Sequence, residues 1–507
     1  MHTFQGRYRK TDLMIEAAIA LVIVVLVLFD AGGAAPRPDV TLTVAGAASG
    51  PDVPAEYLGL SMEYTSVEPY AGRDPTALNP VFLRLIKNLS PGQAPVIRIG
   101  GDTTDRTWWP IPGVSPPPGV KYALDSRWVG VARALAQAVH GRLILGINLE
   151  AASATIAQAE ARALVDGIGA GSVRALELGN EPELYGRFAY YRAADGTRVP
   201  GRPRNYDYPA FVSDFTGVGS VLPRLPLAGP AWGNYSWTGD LGPFLGSEPR
   251  VALATLHRYP LQRCFINPAS PRYPTISNLL SPAASAGLAG RFASFAAVAH
   301  AHRLPFRLDE LNTVSCGAVK SVSQSFASAL WVLDTLFELV RAGVDGVNVH
   351  TFPQAGYNLF DFAQRGGRWQ ASVGPEYYGL LLFTQAAPPG ARLITVLGRR
   401  PQALRTWATQ ARDGVVRVVL INEDPRRAHV VAVRLPGHYG SASLIRLQAP
   451  DLAARRGVRL GKRSFGQETA TGTLDPEAES SSFSAGKVTV TLPAASAALL
   501  TVPPRAK

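Results

Sequence analysis

LELGNEPE, residues 176–183, is a short apolar run that breaks into polar residues at Asn180 and Glu181. LDELNTVSCG, residues 308–317, has the same design, with Glu310 and Asn312 at its end. Similar β-rich runs lie on either side of these two. The strand candidates are Leu58–Tyr64, Val96–Ile99, Leu143–Leu149, Ala175–Leu178, Leu227–Trp232, Leu253–Leu256, Phe306–Leu308 and Val347–His350. Helical periodicity occupies Val81–Leu89, Trp128–His140, Ile156–Ile168, Phe292–His302 and Ser321–Ala342. Eight strands alternating with helices over about 300 residues predict an α/β fold, a (β/α)8 TIM barrel. A doubly wound sheet is the alternative, but no GxGxxG follows the first strand.

What stands at the strand ends supports the barrel. Glu63 ends the first strand, Asp102 follows the second, and Asn180-Glu181 follow the fourth. His257 and Tyr259 follow the sixth, Glu310 and Asn312 the seventh, and His350 ends the eighth. In a barrel these positions converge on one face, where such folds place their chemistry. Trp108, Trp109 and Trp232 follow strands two and five, where they either stack on a ligand ring or pack in the core.

The chain has 507 residues, 47% hydrophobic and 17% charged, which excludes both a disordered chain and a polytopic membrane protein. Two cysteines exclude a disulfide scaffold and a Cys-rich zinc site. No HExxH pair and no GxxxxGK[ST] loop occurs, so neither a zinc hydrolase nor a P-loop ATPase is indicated, and no metal or cofactor is expected. The net charge of +12 is concentrated beyond residue 389, where 18 Lys/Arg face 8 Asp/Glu. That excess reads as a solvated face or as a contact with an anionic cell envelope. No nucleic-acid-binding pattern accompanies it.

Three segments follow. In residues 1–36, Arg7, Arg9 and Lys10 precede an apolar run from Ala17 to Phe29 and a small-residue stretch to Ala35. This reads as a signal peptide or an uncleaved signal anchor, and either predicts export. Residues 37–388 form the barrel domain. In residues 389–507, Val415–Ile421, His429–Leu435, Ala442–Leu447 and Val488–Leu492 read as strands of a β-sandwich, with residues 469–485 as a long surface loop. Val40–Val44 alternates in the same style and is expected to join that sandwich.

Glu181 and Glu310 would face each other across the barrel mouth. Glycosidic bond cleavage needs such a pair: one carboxyl protonates the leaving oxygen while the other attacks or stabilises the oxocarbenium-like centre. A separation of about 5–5.5 Å makes the second carboxylate a nucleophile and the reaction retaining. Glu181 would then need a raised pKa, falling once Glu310 is esterified. Asn180 would sit beside the sugar 2-hydroxyl.

The sequence resembles glycoside hydrolase family 79, which contains heparanase and bacterial β-glucuronidases. The resemblance runs from about Val40 to Val502 on LGLSMEY (58–64), RIGGDTTDRTWW (98–109), LELGNEPE, TLHRYPLQRC (255–264), LDELNTVSCG and TFPQAGYNLF (351–360). LINEDP (420–425) and PAASAALL (493–500) resemble the family's β-domain. The resemblance implies Glu181 as acid/base, Glu310 as nucleophile, Glu63 and Asp102 as holders of sugar hydroxyls, and Tyr259 as a partner of the nucleophile. His257 and Asn312 would line the same pocket. Gly356 and Tyr357 would bind a uronate carboxylate through a backbone N–H and a phenol. One departure stands out: where relatives carry a tyrosine five residues after the nucleophile, this chain has Ser315.

Cys264 and Cys316 fall on the loops after strands six and seven, so they read as a disulfide, with two free thiols as the alternative. The function expected is an exported retaining β-glucuronidase, exo-acting because no Lys-rich groove for an extended sulfated chain is evident. A same-clan β-glycosidase on a neutral sugar is one rival. A membrane-tethered, non-catalytic carbohydrate-binding protein is the other, and a Glu181–Glu310 separation well beyond about 6 Å would favour it.

Overall fold

The computed structural model describes residues 37–437, 441–482 and 486–504. The signal or anchor reading of residues 1–36 lies outside them. Eight parallel strands close on themselves: Leu58–Glu63, Val96–Gly100, Arg142–Ile147, Val173–Leu178, Leu227–Trp232, Val251–Arg258, Phe306–Leu311 and Gly346–His350. Each pairs with its sequence neighbours, and strand eight closes on strand one through Val347↔Leu58 to His350↔Ser61. The fold is a (β/α)8 barrel.

Side chains alternate between the barrel interior and the helix layer, as the period of two in a strand requires. Ile97, Leu145, Leu176, Leu308 and Val347 are buried in the large core under the helices. Val96, Ile144, Ala175, Ala228 and Leu253 form a separate apolar plug inside the barrel. Two residues further along, the interior changes character: Arg98, Glu177, Thr255 and Asp309 are buried there without exposure. The next step along the strands reaches the mouth.

Helix starts follow local chemistry. Asn79 caps Pro80–Leu89 by accepting from the N–H groups of Val81 and Phe82, and Pro80 supplies a φ already suited to the first turn. Asp125 and Ser153 cap Ser126–Val139 and Ala154–Ile168 in the same way. The helical pattern read over 321–342 is two helices, Lys320–Ser323 and Phe326–Arg341, broken at Gln324-Ser325. The second is buried from Phe326 to Val340 on every side. It is apolar all round because one face packs on the barrel and the other on the C-terminal domain. Trp407 of that domain stacks on Phe337 at 5.3 Å and donates its indole N–H to Asp334 at 2.8 Å.

The C-terminal domain is a β-sandwich. Its smaller sheet runs Val396–Leu397, Val40–Val44, His429–Arg434, Lys487–Leu492. Val40–Val44 pairs in parallel with His429–Arg434. The larger sheet contains Leu404–Gln410, Val416–Asn422, Ser496–Val502 and Ser441–Gln448 in that order. Ser496–Val502 is central, yet its run of alanines and leucines carries no strand signature, which is why the sequence reading missed it. The stretch read as a loop at 469–485 is corrected at one end: Glu479–Ser482 pairs with Ser441–Leu444. Trp232 is a core residue, fully buried against Phe211, Trp237 and Phe244.

Candidate active site

Glu310 sits at the end of strand seven. One carboxylate oxygen accepts from the Tyr259 hydroxyl at 2.8 Å and the other from Arg98 Nη1 at 2.7 Å. The His350 ring lies 3.9 Å away. Burial by itself would raise the Glu310 pKa, but the cations around it and the Tyr259 hydrogen bond outweigh burial and hold it well below the ordinary value. The His350 pKa is raised: burial opposes the charged ring, but Glu310 and Glu63 outweigh it and favour protonation. His257 goes the other way. Burial and then Arg98 push it down to about 4, so at neutral pH it lines the site as a neutral ring.

Glu181 approaches from the end of strand four. Its backbone is left-handed, φ 51°, and its N–H donates to the carbonyl of Ala231 on strand five. This turn swings the carboxyl over the mouth, where His257 Nδ1 is 3.4 Å away. An oxygen of Glu181, an oxygen of Glu310 and a His257 nitrogen lie within 4.8 Å of one another. Burial first, then the negative charge of Glu310, raise the Glu181 pKa to about 8. One carboxyl is thus protonated at neutral pH and its neighbour is ionised. Flush against the acid, Gly233 leaves no room for a side chain, since a Cβ there would lie 2.0 Å from a Glu181 oxygen.

The remaining sequence-derived residues divide into two groups. Tyr357 faces the mouth, its hydroxyl 3.4 Å from that of Tyr259. Gly356 lies where a Cβ would meet Ala318 Cβ at 2.7 Å, so glycine is what lets loops seven and eight pack. Asn180 accepts from Arg98 at 3.0 Å and reaches Asp102 at 3.4 Å. Asp102 is exposed at the mouth. The packing around it, then Glu63, Glu181 and Glu310, push its pKa upward, although water at the opening screens the push.

Two residues are bonded to neighbouring loops. Glu63 accepts from the N–H groups of Asp102 and Thr103, at 3.1 and 2.8 Å, and from the Thr103 hydroxyl, so its carboxylate anchors the second loop. Asn312 is fully buried, with its amide donating to the carbonyl of His350 at 2.8 Å and its oxygen accepting from Thr313. It ties loops together instead of lining the pocket. Ser315 turns away as well, its hydroxyl 3.4 Å from the carbonyl of Leu261. Cys264 and Cys316 form a disulfide between loops six and seven.

Sequence reasoning missed the support beneath the mouth. Arg98 bridges Glu177 at 2.6 Å and Glu310 at 2.7 Å, with Asp309 at 3.7 Å. Burial, then the Glu177 charge, push the Asp309 pKa well up, which favours its protonated form. Two groups here have metal-like spacing, Glu177–His257–Asp309 and Glu181–His257–Glu310. In each of them Arg98 already faces a carboxylate and supplies the positive charge. The available signal was a charged residue at an inward position of an otherwise apolar strand, as in VIRIG, residues 96–100.

Comparisons with known proteins agree with this picture. Residues 406–499 match the glycosyl hydrolase family 79 C-terminal beta domain. No curated protein sequence matches the chain. Among solved structures, a 4-O-α-L-rhamnosyl-β-D-glucuronidase from Fusarium oxysporum 12S superposes with a TM-score of 0.67 at 20% identity, over 91% of this chain and 100% of that one. A GH51 arabinofuranosidase from Xanthomonas axonopodis pv. citri gives 0.61 at 15% identity, over 92% and 100%. An α-L-arabinofuranosidase from Thermotoga maritima gives 0.63 at 12%, with the same coverage. With the matched β-domain behind a barrel whose mouth holds two opposed carboxylates, the chain is a glycoside hydrolase whose C-terminal domain is that of family 79.

Proposed function

We propose that the protein is a retaining exo-β-glucuronidase, with Glu181 as acid/base and Glu310 as nucleophile. The observation that carries this reading is the split between two carboxyls whose oxygens approach within 4.8 Å: one is raised to about 8, the other held low. Glu181 would protonate the glycosidic oxygen as Glu310 attacks the anomeric carbon and forms a glycosyl ester. That ester removes the negative charge that raises Glu181, which then accepts a proton from the incoming water. The close approach speaks against a non-catalytic binding protein.

The uronate preference rests on Gly356, Tyr357 and Tyr259, and on the fold shared with a glucuronidase solved with a Rha-GlcA ligand. Neutral donors at the C5 carboxylate avoid a cation beside the oxocarbenium centre. With Ser315 turned toward Leu261, Tyr357 carries more of that contact than it would with a tyrosine at 315. The neutral-sugar reading is supported by the superposition on arabinofuranosidases. We place the enzyme outside the cytoplasm on the strength of the N-terminal apolar run, with its basic C-terminal domain toward an anionic envelope.

Hydrolysis of an aryl β-glucuronide by the purified protein, beside Glu310→Gln, tests the proposal. Turnover that vanishes in the variant is expected. Inactivity on the glucuronide with activity on a neutral aryl glycoside would overturn the uronate assignment.

A further inference from the structure

Two phenylalanines stand in solvent at the rim of the barrel mouth. Phe265 is 83% exposed and Phe188 is 44% exposed. Their rings nevertheless meet, 6.1 Å between centroids. Single exposed apolar side chains are ordinary, but two exposed aromatics held against each other form a prepared surface.

Both hang from the loops that carry the site. Phe188 follows Glu181 by seven residues in the loop after strand four. Phe265 follows Cys264, which is bonded to Cys316, six residues beyond Glu310. Residues 261–262 pair with 314–315, and the Arg263 N–H donates to the Ser315 carbonyl at 3.3 Å. Loop six is therefore held to loop seven, and its exposed tip is a fixed feature of the rim.

The side of the site on which the pair stands identifies its occupant. On the double-displacement reading, Glu181 must reach the glycosidic oxygen, so the leaving group lies against Glu181 and its loop. The sugar itself lies deeper, between Tyr259, Tyr357 and Asn180. Gly233, flush against Glu181, touches the loops after strands four and six, its N–H donating to Glu183 at 2.7 Å and its carbonyl accepting from Arg258 at 3.4 Å. A group leaving past Glu181 therefore emerges between those two loops. Neither phenylalanine has a hydroxyl or an N–H to offer, so the pair suits an apolar plane better than a ring of hydroxyls.

We propose that Phe188 and Phe265 form the aglycone platform of this enzyme and that the natural aglycone is a flat, apolar, aromatic or fused-ring group. The platform rests on the glycosidase reading above and specifies its substrate class. It binds by face-to-ring contact and lowers KM without touching the reacting bonds.

The test uses the full chain, Phe188→Ala, Phe265→Ala and the double variant, with three β-glucuronides: 4-methylumbelliferyl, methyl, and a glucuronyl-galactose disaccharide. The double variant is expected to lose about tenfold in kcat/KM on the umbelliferyl substrate, mainly through KM, and to stay within about twofold on methyl glucuronide. An unchanged ratio between these two substrates overturns the platform. A larger loss on the disaccharide overturns the apolar assignment. If only neutral aryl glycosides are cleaved, the uronate reading fails, and the same pair of aglycones on that sugar decides the platform. Silence of the wild type on every glycoside overturns both readings.

Discussion

Replacing Tyr259 by phenylalanine removes one hydroxyl and leaves the ring in place against Tyr357, whose centroid is 5.7 Å away. The lost contact is a charge-assisted hydrogen bond of 2.8 Å onto the Glu310 carboxylate. Such bonds contribute about 1.5–3 kcal/mol. At about 1.4 kcal/mol per pKa unit, the Glu310 pKa should rise by roughly one to two units. Arg98, at 2.7 Å on the other oxygen, still keeps it ionised at neutral pH. In a pH profile of kcat/KM on an aryl β-glucuronide, the wild-type acid limb lies below the ordinary carboxylate value. In Tyr259→Phe it moves upward by about one to two units. The alkaline limb, set by Glu181 near 8, stays in place because its causes are burial and the Glu310 charge. An acid limb that does not move, or an alkaline limb that moves in its stead, would refute the assignment of Tyr259 to the nucleophile.

Three further outcomes are expected. Tyr357→Phe should raise KM for aryl β-glucuronides by about tenfold while leaving aryl β-xylosides unchanged, since only the former carry the carboxylate; steady-state kinetics on the pair decides it. Trp407→Ala should destabilise the protein by about 3–5 kcal/mol, read from urea midpoints, because it empties a ring stacked on Phe337 and strands Asp334. Thermal melting should rise on acidification from pH 8 to 5. Glu150, Glu181, Glu183 and Glu423 are each raised to about 8, chiefly by burial. A carboxyl whose folded pKa exceeds its unfolded one loses stability as pH climbs toward the folded value. His257, lowered to about 4, opposes the trend below about 6.5 but is a single group, and a flat or inverted series would refute these assignments.

The barrel was legible because strand ends are where a (β/α)8 fold exposes polar groups, so Glu63, Asn180, Glu181, His257, Glu310 and His350 announced both fold and mouth. Asn312 misled for the same reason. Position along a strand says which residues approach the mouth, not which amides are already bonded to neighbouring loops. Arg98 was hidden within a quoted block, because its partners Glu177 and Asp309 come from strands far away in sequence. The left-handed turn at Glu181 has no compositional signal at all, being set by the Ala231 carbonyl across the strand gap.

The protonation pattern at the mouth follows from the layer below it. Inside the barrel Arg98 is the cation that faces Glu177, Asp309 and Glu310 together. Arg98 and the His350 ring beside Glu310 can balance two of these three carboxylates, so the low-dielectric interior favours a proton on the third, and Asp309 is the one farthest from the guanidinium, at 3.7 Å. Glu310 stays ionised beside His350, Arg98 and the Tyr259 hydroxyl, and burial together with its negative charge holds the proton on Glu181. An acid and a nucleophile of the same residue type are thus separated by their surroundings, Glu181 by burial and the Glu310 charge, Glu310 by the cations and the Tyr259 hydroxyl that face it.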